Sequence, residues 1–247
     1  MAKNQSCLIT GAAGGIGAAL ARRLAAQGTA LVLSDLDGDR LASLETELSG
    51  LTEVTTKIAD MTVESDIAAL VDTALRHHGT LDQLALVAGI EGTAGDLEET
   101  TPAGYERIMA VNTTSAFVCL RAVLPRMKAA RRGAVVATAS TAGLNAVAGY
   151  GPYSVSKHAL IGLTRAAAVE AGPFGVRVNA VLPGPIATEM MTRIRRDAPS
   201  TSIGGGTLLG RMGTPDEAAA VIAFLLSDDA SFVTNSYWTV DGGRLAV

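Results

Sequence analysis

A glycine-rich stretch near the start of the chain constrains the fold most. A short, largely apolar run over residues 6–10 precedes Gly11-Ala12-Ala13-Gly14-Gly15-Ile16-Gly17, and a helical pattern follows over 18–27. A strand, a glycine-rich turn and a helix N-terminus in that order present backbone N–H groups and a positive dipole end to a phosphate. Glycine also permits positive φ and close approach of the backbone to a ligand. The stretch therefore predicts a dinucleotide-phosphate cradle, with a tight structural turn as the alternative.

Alternating strands and helices set the fold class. The patterns predict strands at 6–10, 30–34, 54–59, 83–88, 133–139, 176–182 and 238–240, and helices at 18–27, 39–48, 65–77, 102–130, 152–171 and 215–226. Strands joined by helices of this length require right-handed crossovers and a parallel sheet. We therefore predict an α/β fold, a Rossmann-like doubly wound parallel sheet of about seven strands with helices on both faces.

The chain is predicted to form one dinucleotide-binding and catalytic domain over residues 1–247. About half of its 247 residues are apolar, and no polar or Pro-rich linker divides them. From Glu189 to Gly213 the sequence has no clear period and contains Met190, Met191 and three consecutive glycines. Such a segment predicts a substrate lid, with a flexible surface loop as the alternative.

Charge and cysteine usage narrow the classes of partner. A formal net charge of -4 and a pI near 5.4 provide no basic field for nucleic acid. The N-terminus lacks the apolar core of a signal peptide, and no window reaches the ~18 uninterrupted apolar residues of a membrane span. Cys7 and Cys119 have no metal-ligand spacing, so buried free thiols are expected and no metal is. We expect a cytoplasmic protein that binds neither nucleic acid nor membrane.

An acidic residue ends the second predicted strand. Asp35 lies about 20 residues beyond the glycines, where a carboxylate accepts hydrogen bonds from an adenosine ribose diol. A 2′-phosphate would meet like charge there, and Ala12, Ala13 and Leu36 offer no basic side chain to neutralise it. Asp35 therefore favours NAD over NADP, whereas helix capping is assigned to Asp37 or Asp39.

Other polar residues follow strand ends at the edge where open sheets bind ligands. Asp60 is placed to approach an adenine amino group or to act as a helix cap, and Ser140 to hydrogen-bond a carbonyl oxygen. Ser140 lacks a nucleophile elbow, which disfavours serine-hydrolase chemistry. N–H and hydroxyl groups of Ile186 and Thr188 are candidates to hold a nicotinamide carboxamide, and Glu91 is expected at the rim.

A phenol and an ammonium share one face of the predicted helix over 152–171. Tyr153 and Lys157 are four residues apart, so they lie one turn from each other. A nearby cation favours the phenolate and lowers the pKa of a tyrosine, which is ordinarily near ~10. Tyr153 is therefore a candidate general acid/base. The alternative for an isolated pair is an ordinary solvated contact.

Together these residues resemble the short-chain dehydrogenase/reductase family over essentially the whole chain. The matching motifs are Thr10-Gly11-x-x-x-Gly15-x-Gly17, Asp60, Ala88-Gly89, Asn112, Ser140, Tyr153-x-x-x-Lys157, Pro183-Gly184 with Thr188, Gly210-Arg211-Met212-Gly213-Thr214-Pro215 and Val240-Asp241-Gly242-Gly243. Each motif alone is common, whereas their order and spacing are specific.

The resemblance implies a catalytic tetrad of Asn112, Ser140, Tyr153 and Lys157. Tyr153 would exchange a proton with the substrate oxygen, Ser140 would position that oxygen, Lys157 would hold the cofactor ribose, and Asn112 would support a water chain from Lys157. By itself, Asn112 within a predicted helix is exposed, bonded to the backbone, or kept for a task. The resemblance also implies a homotetramer. The implied cofactor-binding residues are Gly11, Gly15, Ile16, Gly17, Asp35, Asp60, Met61, Ala88, Gly89, Tyr153, Lys157, Pro183, Gly184, Ile186 and Thr188.

The chain departs from the family pattern at two places. Leu86-Val87 replaces the usual Asn-Asn, which puts local sheet geometry in question, and Asn235 replaces a common Gly at a turn.

The predicted reaction is NAD(H)-dependent interconversion of a secondary alcohol and a ketone, with cyclic molecules among the candidates. The alternatives are reduction of a 3-oxoacyl thioester on a carrier protein and a non-catalytic NAD-binding regulatory or scaffold protein. Leu144, Val147, Met190 and Met191 are the predicted apolar lining of the substrate pocket.

Overall fold

A seven-stranded parallel sheet organises the part of the chain that the computed structural model describes, residues 5–197 and 206–246. The strand order is β3-β2-β1-β4-β5-β6-β7. The strands are β1 (Ser6–Thr10), β2 (Ala30–Asp35), β3 (Val54–Ile58), β4 (Gln83–Leu86), β5 (Gly133–Thr138), β6 (Val176–Pro183) and β7 (Tyr237–Val240). The predicted fold class is confirmed, with strand boundaries within about two residues of those read from the sequence.

Helices cover both faces of this sheet. Their bounds are α1 (Gly15–Ala26), α2 (Gly38–Leu48), α3 (Glu64–His78), α4 (Pro102–Met109), α5 (Ser115–Ala130), α6 (Gly151–Ala171), α7 (Glu189–Asp197) and α8 (Pro215–Leu226). Short 3-10 turns and one π-helical turn connect some of them.

The strand order reverses beside β1. This strand pairs in parallel with β2 on one side and with β4 on the other, so the connections that leave the two sides diverge. A crevice opens at such a reversal, outside the carboxyl ends of the strands. The predicted ligand-binding edge is therefore the edge at which β1, β4, β5 and β6 end.

The core consists of two buried clusters, one on each face of the sheet. Leu8 and Val135 belong to a cluster packed by α3, α5 and α6, whereas Ile9 and Val136 belong to one packed by α1, α2 and α8. Successive strand residues point to opposite faces, and both faces are apolar because both are covered. The two cysteines are buried free thiols, one in each cluster, as predicted.

The predicted helix over 102–130 is interrupted. A π-helical turn, Ala110–Thr114, separates α4 from α5 and carries Asn112 at its centre. By length and composition alone the stretch Pro102–Ala130 is apolar enough to cross a membrane, but half of its most apolar window is buried inside the protein. Because Cys119, Val123 and neighbouring residues pack in the core, the stretch is accounted for as a core element.

The predicted lid over 189–213 begins with a helix, which corrects the expectation of a segment without a period. Glu189–Asp197 forms α7, in which Met190, Met191 and Ile194 line a cavity while Arg195 and Arg196 are exposed. Nine residues are too few for this pattern to stand out in the sequence. Residues 198–205, including the first two of the three glycines, lie outside the described part of the chain.

Neither departure from the family pattern disturbs the backbone. The hydroxyl of Thr10 accepts hydrogen bonds from the N–H groups of Val87 and Ala88 at 3.2 and 3.3 Å, so a side chain of β1 ties down the end of β4. Asn235 has φ of 57°, and its N–H donates to the carbonyl of Val178 at 2.9 Å. The tolerance of Asn for this left-handed conformation explains why the turn survives.

Residue 235 provides a test of this backbone constraint. We expect Asn235→Ala to lower the free energy of unfolding by about 1 kcal/mol, because alanine pays a steric cost in the left-handed region. Asn235→Gly should stay within about 0.5 kcal/mol of the wild type. Urea denaturation followed by circular dichroism measures both, and an alanine variant as stable as the glycine variant would contradict the expectation.

Candidate active site

A cavity of about 440 Å³ lies at the carboxyl edge of the sheet. Its size falls within the range of small-molecule sites, and it follows the strand ends from β2 across to β6. Of the predicted site residues, the following line it: Gly11, Gly15, Ile16, Gly17, Asp35, Asp60, Met61, Ala88, Gly89, Ser140, Tyr153, Lys157, Pro183, Gly184, Ile186 and Thr188. Asn112 is buried behind the wall, beside Gly89.

The glycines at the start of α1 form a cradle that side chains would fill. A Cβ on Gly11, whose φ is +67°, would lie 2.7 Å from the backbone of Ala88, and a Cβ on Gly17 would overlap the carbonyl oxygen of Gly11. The N-cap residue Gly14 provides no side-chain cap for α1. An uncapped first turn that lines a cavity fits a phosphate group, because its N–H groups and dipole favour an anion.

The Asp35 carboxylate closes the far end of this cradle. Oδ2 accepts from the N–H of Ala13 at 3.0 Å, and Oδ1 accepts from the N–H of Leu36 at 2.8 Å. Arg40 also lines this end of the cavity, but its guanidinium is bidentate to Glu189 at 2.8 and 3.1 Å and also contacts Asp37. Arg40 is thus already shared between the carboxylates of Glu189 and Asp37, next to the carboxylate of Asp35.

Asp60 and Met61 line the cavity just after β3, the strand at one edge of the sheet. The Asp60 carboxylate accepts from the N–H and hydroxyl of Thr62 at 2.8 and 2.7 Å, and these hydrogen bonds lower its pKa. Because α3 begins at Glu64 with Val63 as its N-cap, the capping alternative for Asp60 is wrong. Asp60 instead orders the turn after β3 while it faces the cavity.

The segment after β6 forms the opposite wall. Ile186 is buried, and the hydroxyl of Thr188 accepts from the N–H of Met191 at 3.3 Å, so Thr188 joins this wall to α7. A Cβ on Gly15 would lie 2.9 Å from Thr188 Cγ2, which places the cradle and this wall face to face. Val147, Met190 and Met191 line the cavity as predicted, whereas Leu144 is exposed and does not.

The phenol of Tyr153 lies with Ser140 in the middle of the cavity. Both side chains line the cavity, and Ser140 Oγ accepts from the N–H of Ala142 at 3.1 Å. Burial raises the pKa of Tyr153, the hydrogen bond to Ser140 opposes that rise, and the charge of Glu91 adds to it. The predicted lowering of this pKa by Lys157 is therefore wrong for the protein without ligands.

The Lys157 ammonium explains that correction. Its Nζ lies 5.6 Å from the centre of the Tyr153 ring and donates to the carbonyl of Thr138 at 3.0 Å, so it is directed at a strand end rather than at the phenol. Lys157 is 4% exposed, and burial lowers its pKa to about 8. The cost of removing its charge from water weakens the cation that was expected to act on Tyr153.

Asn112 is kept rigid by three hydrogen bonds. Its Oδ1 accepts from the N–H of Ile90 at 2.8 Å, and its Nδ2 donates to the carbonyl of Ile90 at 2.9 Å and to Ser156 Oγ at 3.0 Å. Ser156 Oγ in turn donates to the carbonyl of Tyr153 at 2.7 Å. The π-helical turn thereby joins the loop after β4 to the helix that carries Tyr153. Of the alternatives for Asn112, exposure to solvent is wrong, because its side chain is buried and hydrogen-bonded.

Ser156, Arg40 and Arg193 are among the residues at this site that sequence reasoning missed. Ser156 lies between Tyr153 and Lys157, and its place within that motif was the available signal. Arg40 and Arg193 carry no local signal, because each reaches the cavity from an element that only the folding of the chain brings there. Within 5–197 and 206–246, no group of three or more His, Cys, Asp or Glu side chains is arranged to hold a metal ion.

Comparison with known proteins gives relatives that align over nearly the full chain. Levodione reductase of Leifsonia aquatica is 38% identical, with 97% of this chain and 93% of the relative covered. Cyclohexanol dehydrogenase of Acinetobacter sp. (strain SE19) is 38% identical with 97% and 94% covered. Cis-4-hydroxycyclohexanecarboxylate dehydrogenase of Sinomonas cyclohexanicum is 38% identical with 97% and 96% covered.

Solved structures agree with the sequence relatives. The crystal structure of levodione reductase has a TM-score of 0.94 at 35% identity, with 98% of both chains covered. NAD+-bound xylitol dehydrogenase has a TM-score of 0.91 at 32% identity, with 98% and 100% covered. The protein ElxO with NADP bound has a TM-score of 0.89 at 27% identity, with 99% and 100% covered.

A family model described as enoyl-(acyl carrier protein) reductase matches residues 11–244, which is most of the chain. The match begins at the first glycine of the cradle and ends beyond the last strand. Relatives at 38% identity and a fold shared with levodione reductase agree with it. The chain therefore belongs to the short-chain dehydrogenase/reductase family.

Proposed function

We propose that this protein is an NAD(H)-dependent oxidoreductase that interconverts a secondary alcohol and a ketone, with Tyr153 as general acid/base. One observation carries the proposal. Ser140, Tyr153 and Lys157 line the same cavity as the uncapped start of α1 and the carboxylate of Asp35. A proton-transfer group and a dinucleotide cradle thus share one chamber.

The side chains divide the work of proton transfer. The phenol of Tyr153 exchanges a proton with the substrate oxygen, while the hydroxyl of Ser140, which lines the same cavity, positions the oxygen. The nicotinamide, when bound, supplies or accepts the hydride. Lys157 binds the ribose hydroxyls and provides positive charge, and Asn112 supports the path by which protons reach solvent.

The proposed choice of NAD rests on the charges at the ribose end. Asp35 and Asp37 would both repel a 2′-phosphate, and Arg40 is committed to Glu189 and Asp37. Solved relatives hold either cofactor, since the xylitol dehydrogenase is described as NAD+-bound and ElxO as NADP-bound. The proposal of NAD therefore rests on the carboxylates of this chain and not on the relatives.

The proposed substrate is a free cyclic secondary alcohol or the matching ketone. Cyclohexanol and a hydroxycyclohexanecarboxylate are named as substrates of two of the relatives. The cavity has apolar side chains that suit a saturated ring, namely Val147, Met190, Met191 and Ile194. A carrier-protein thioester is less well supported, because the relatives at 38% identity are named for levodione, cyclohexanol and a hydroxycyclohexanecarboxylate.

The chain is also proposed to act as a cytoplasmic homotetramer with one catalytic and cofactor-binding domain. Exposed apolar side chains on α5 and α6, namely Phe117, Val155 and Val169, and Tyr237 with Trp238 of β7 support two contact surfaces. The free thiols Cys7 and Cys119 are compatible with a reducing compartment. Sedimentation equilibrium decides the number of chains.

Removing the Tyr153 hydroxyl tests the assigned general acid/base. We expect Tyr153→Phe to lower kcat for oxidation of cyclohexanol by roughly 10²- to 10⁴-fold, because proton transfer to a positioned side chain contributes that much. Binding of NADH, measured by its fluorescence, should change little, since the ring remains in place. Tyr105→Phe, on the exposed face of α4, is the matched control. Turnover unchanged in Tyr153→Phe would refute the assignment.

Asp35 provides the test of cofactor choice. The wild type should have a higher kcat/KM with NADH than with NADPH, by at least about tenfold, because the 2′-phosphate meets like charge. Asp35→Asn keeps an oxygen for the N–H of Ala13 but removes the charge, so it should narrow the ratio. Asp39→Asn, exposed on α2 and away from the cavity, is the control. A wild-type preference for NADPH would contradict the proposal.

The Lys157 charge makes a pH-dependent contribution to stability. Its pKa is about 8 in the folded protein and ~10.4 in the unfolded chain, so between these values the unfolded state holds more protons and the contribution of Lys157 to stability rises with pH. The free energy of unfolding of the wild type minus that of Lys157→Met should therefore increase from pH 7.5 to pH 10, on the order of 2 kcal/mol. Urea titrations measure the difference.

The comparison with Lys157→Met removes two competing effects. Burial raises the pKa of Cys7 and Cys119, so their unfolded thiols ionise first and both proteins lose stability as the pH rises. These losses are common to the two proteins and cancel in the difference. A difference that stays flat over the window would show that the ammonium is not penalised by burial.

A further inference from the structure

The carboxylate of Glu91 is buried near the part of the cavity that Tyr153 lines. Glu91 follows β4 by five residues and was expected at the rim, but only 8% of its surface is exposed and it does not line the cavity. Glu91 comes directly after Ile90, whose N–H and carbonyl are both hydrogen-bonded to the side chain of Asn112. A carboxylate taken out of water at such a rigid position requires a partner, because an unpaired buried charge is costly.

Arg193 of α7 is that partner. Its guanidinium is bidentate to the carboxylate: Nε donates to Oε1, and Nη2 donates to Oε2 at 3.3 Å. The two residues are 102 positions apart in the chain, so the pair joins α7 to the loop after β4. Arg193 itself lines the cavity and is about half exposed.

Hydrophobic burial provides little to hold α7 in place. None of its residues is buried, although Met190, Met191 and Ile194 face the cavity. A second ion pair, Arg40 with Glu189, anchors the start of the helix. Both of its side chains are largely exposed, so water and salt weaken the attraction between them. The pair with the buried Glu91 is therefore the stronger electrostatic tie on this helix.

The charge of Glu91 also reaches the reactive phenol. Together with burial, which is the larger cause, the charge of Glu91 raises the pKa of Tyr153, whereas the Ser140 hydroxyl lowers it. Charged groups near Tyr153 include Lys157 on its own helix and Glu91 after β4, which is paired with Arg193 of α7. Withdrawing α7 would leave the Glu91 charge uncompensated beside the phenol.

We propose that the ion pair between Glu91 and Arg193 is a positioning pair: it holds α7 over the cavity and balances the charge of Glu91, which acts on Tyr153. The inference rests on the proposed function for its catalytic consequence and on the ion pair alone for its structural one. Placement of α7 brings Met190, Met191 and Ile194 against the substrate. It thereby couples coverage of the substrate to the electrostatic state of Tyr153.

Tryptic cleavage tests the structural half without cofactor or substrate. Arg195 and Arg196 are cleavage sites on α7 itself. We expect Glu91→Gln and Arg193→Gln to speed cleavage in α7 by at least about threefold, because opening of α7 then no longer separates Arg193 from the buried carboxylate of Glu91. The exchange Glu91→Arg with Arg193→Glu should restore some protection. Arg22→Gln and Glu47→Gln remove a bidentate exposed pair between α1 and α2 and should leave cleavage of α7 at the wild-type rate.

The pH profile of cyclohexanol oxidation tests the catalytic half. Arg193→Gln should raise the midpoint of kcat/KM by about half a pH unit or more, because the Glu91 charge then acts on Tyr153 uncompensated. Glu91→Gln should move the midpoint down, since that charge is gone. A purely structural role would affect both variants in the same direction, so opposite shifts are the distinguishing result.

Two outcomes would overturn the proposal. Wild-type rates of cleavage in both Glu91→Gln and Arg193→Gln would show that the pair does not hold α7, and midpoints shifted in the same direction would show that it does not act on the phenol. A wild type that oxidises no secondary alcohol would instead count against the proposed function, and the cleavage rates would still decide whether the pair positions α7.

Discussion

The backbone of Gly11 packs against the backbone of Ala88, and the rest of the site depends on this contact. A side chain at Gly11 would lie 2.7 Å from Ala88, and one at Gly17 would overlap Gly11 itself. Because no Cβ intervenes, β1 and β4 end together and α1 starts directly above them, with its first turn uncapped. The crevice at the strand reversal therefore becomes a cradle for an anion rather than a filled core.

The two walls of the cavity are held by different forces. On one side, buried hydrogen bonds from Asn112 fix the loop after β4 and, through Ser156, the helix that carries Tyr153. On the other side, α7 buries none of its residues and is tied by ion pairs to Glu91 and Arg40. A fully satisfied buried network rigidifies its surroundings, whereas exposed ion pairs are weak. Tyr153 is thus held on the wall that is fixed by buried hydrogen bonds, whereas α7 forms a wall with weaker ties.

Sequence patterns predicted the sheet and most of the site because their signals are local. Buried parallel strands are continuous apolar runs, and the glycine and proline residues around them mark where each run ends, as at Gly11 and Pro183. The π-helical turn at Asn112 was missed because helical periodicity continues through it. Helix α7 was missed because it is only nine residues long, so the apolar face formed by Met190, Met191 and Ile194 does not stand out in the sequence.

The sequence by itself determined the order of strands and helices, and hence which residues end at one edge of the sheet. Spacing along the chain places Tyr153 one turn from Lys157, whatever surrounds them. Only the tertiary structure decided their electrostatic state: burial raises the pKa of Tyr153 and lowers that of Lys157 to about 8. It also paired Glu91 with Arg193 across 102 residues. Desolvation and long-range pairing depend on what the folded chain packs around a group, and no local pattern records that.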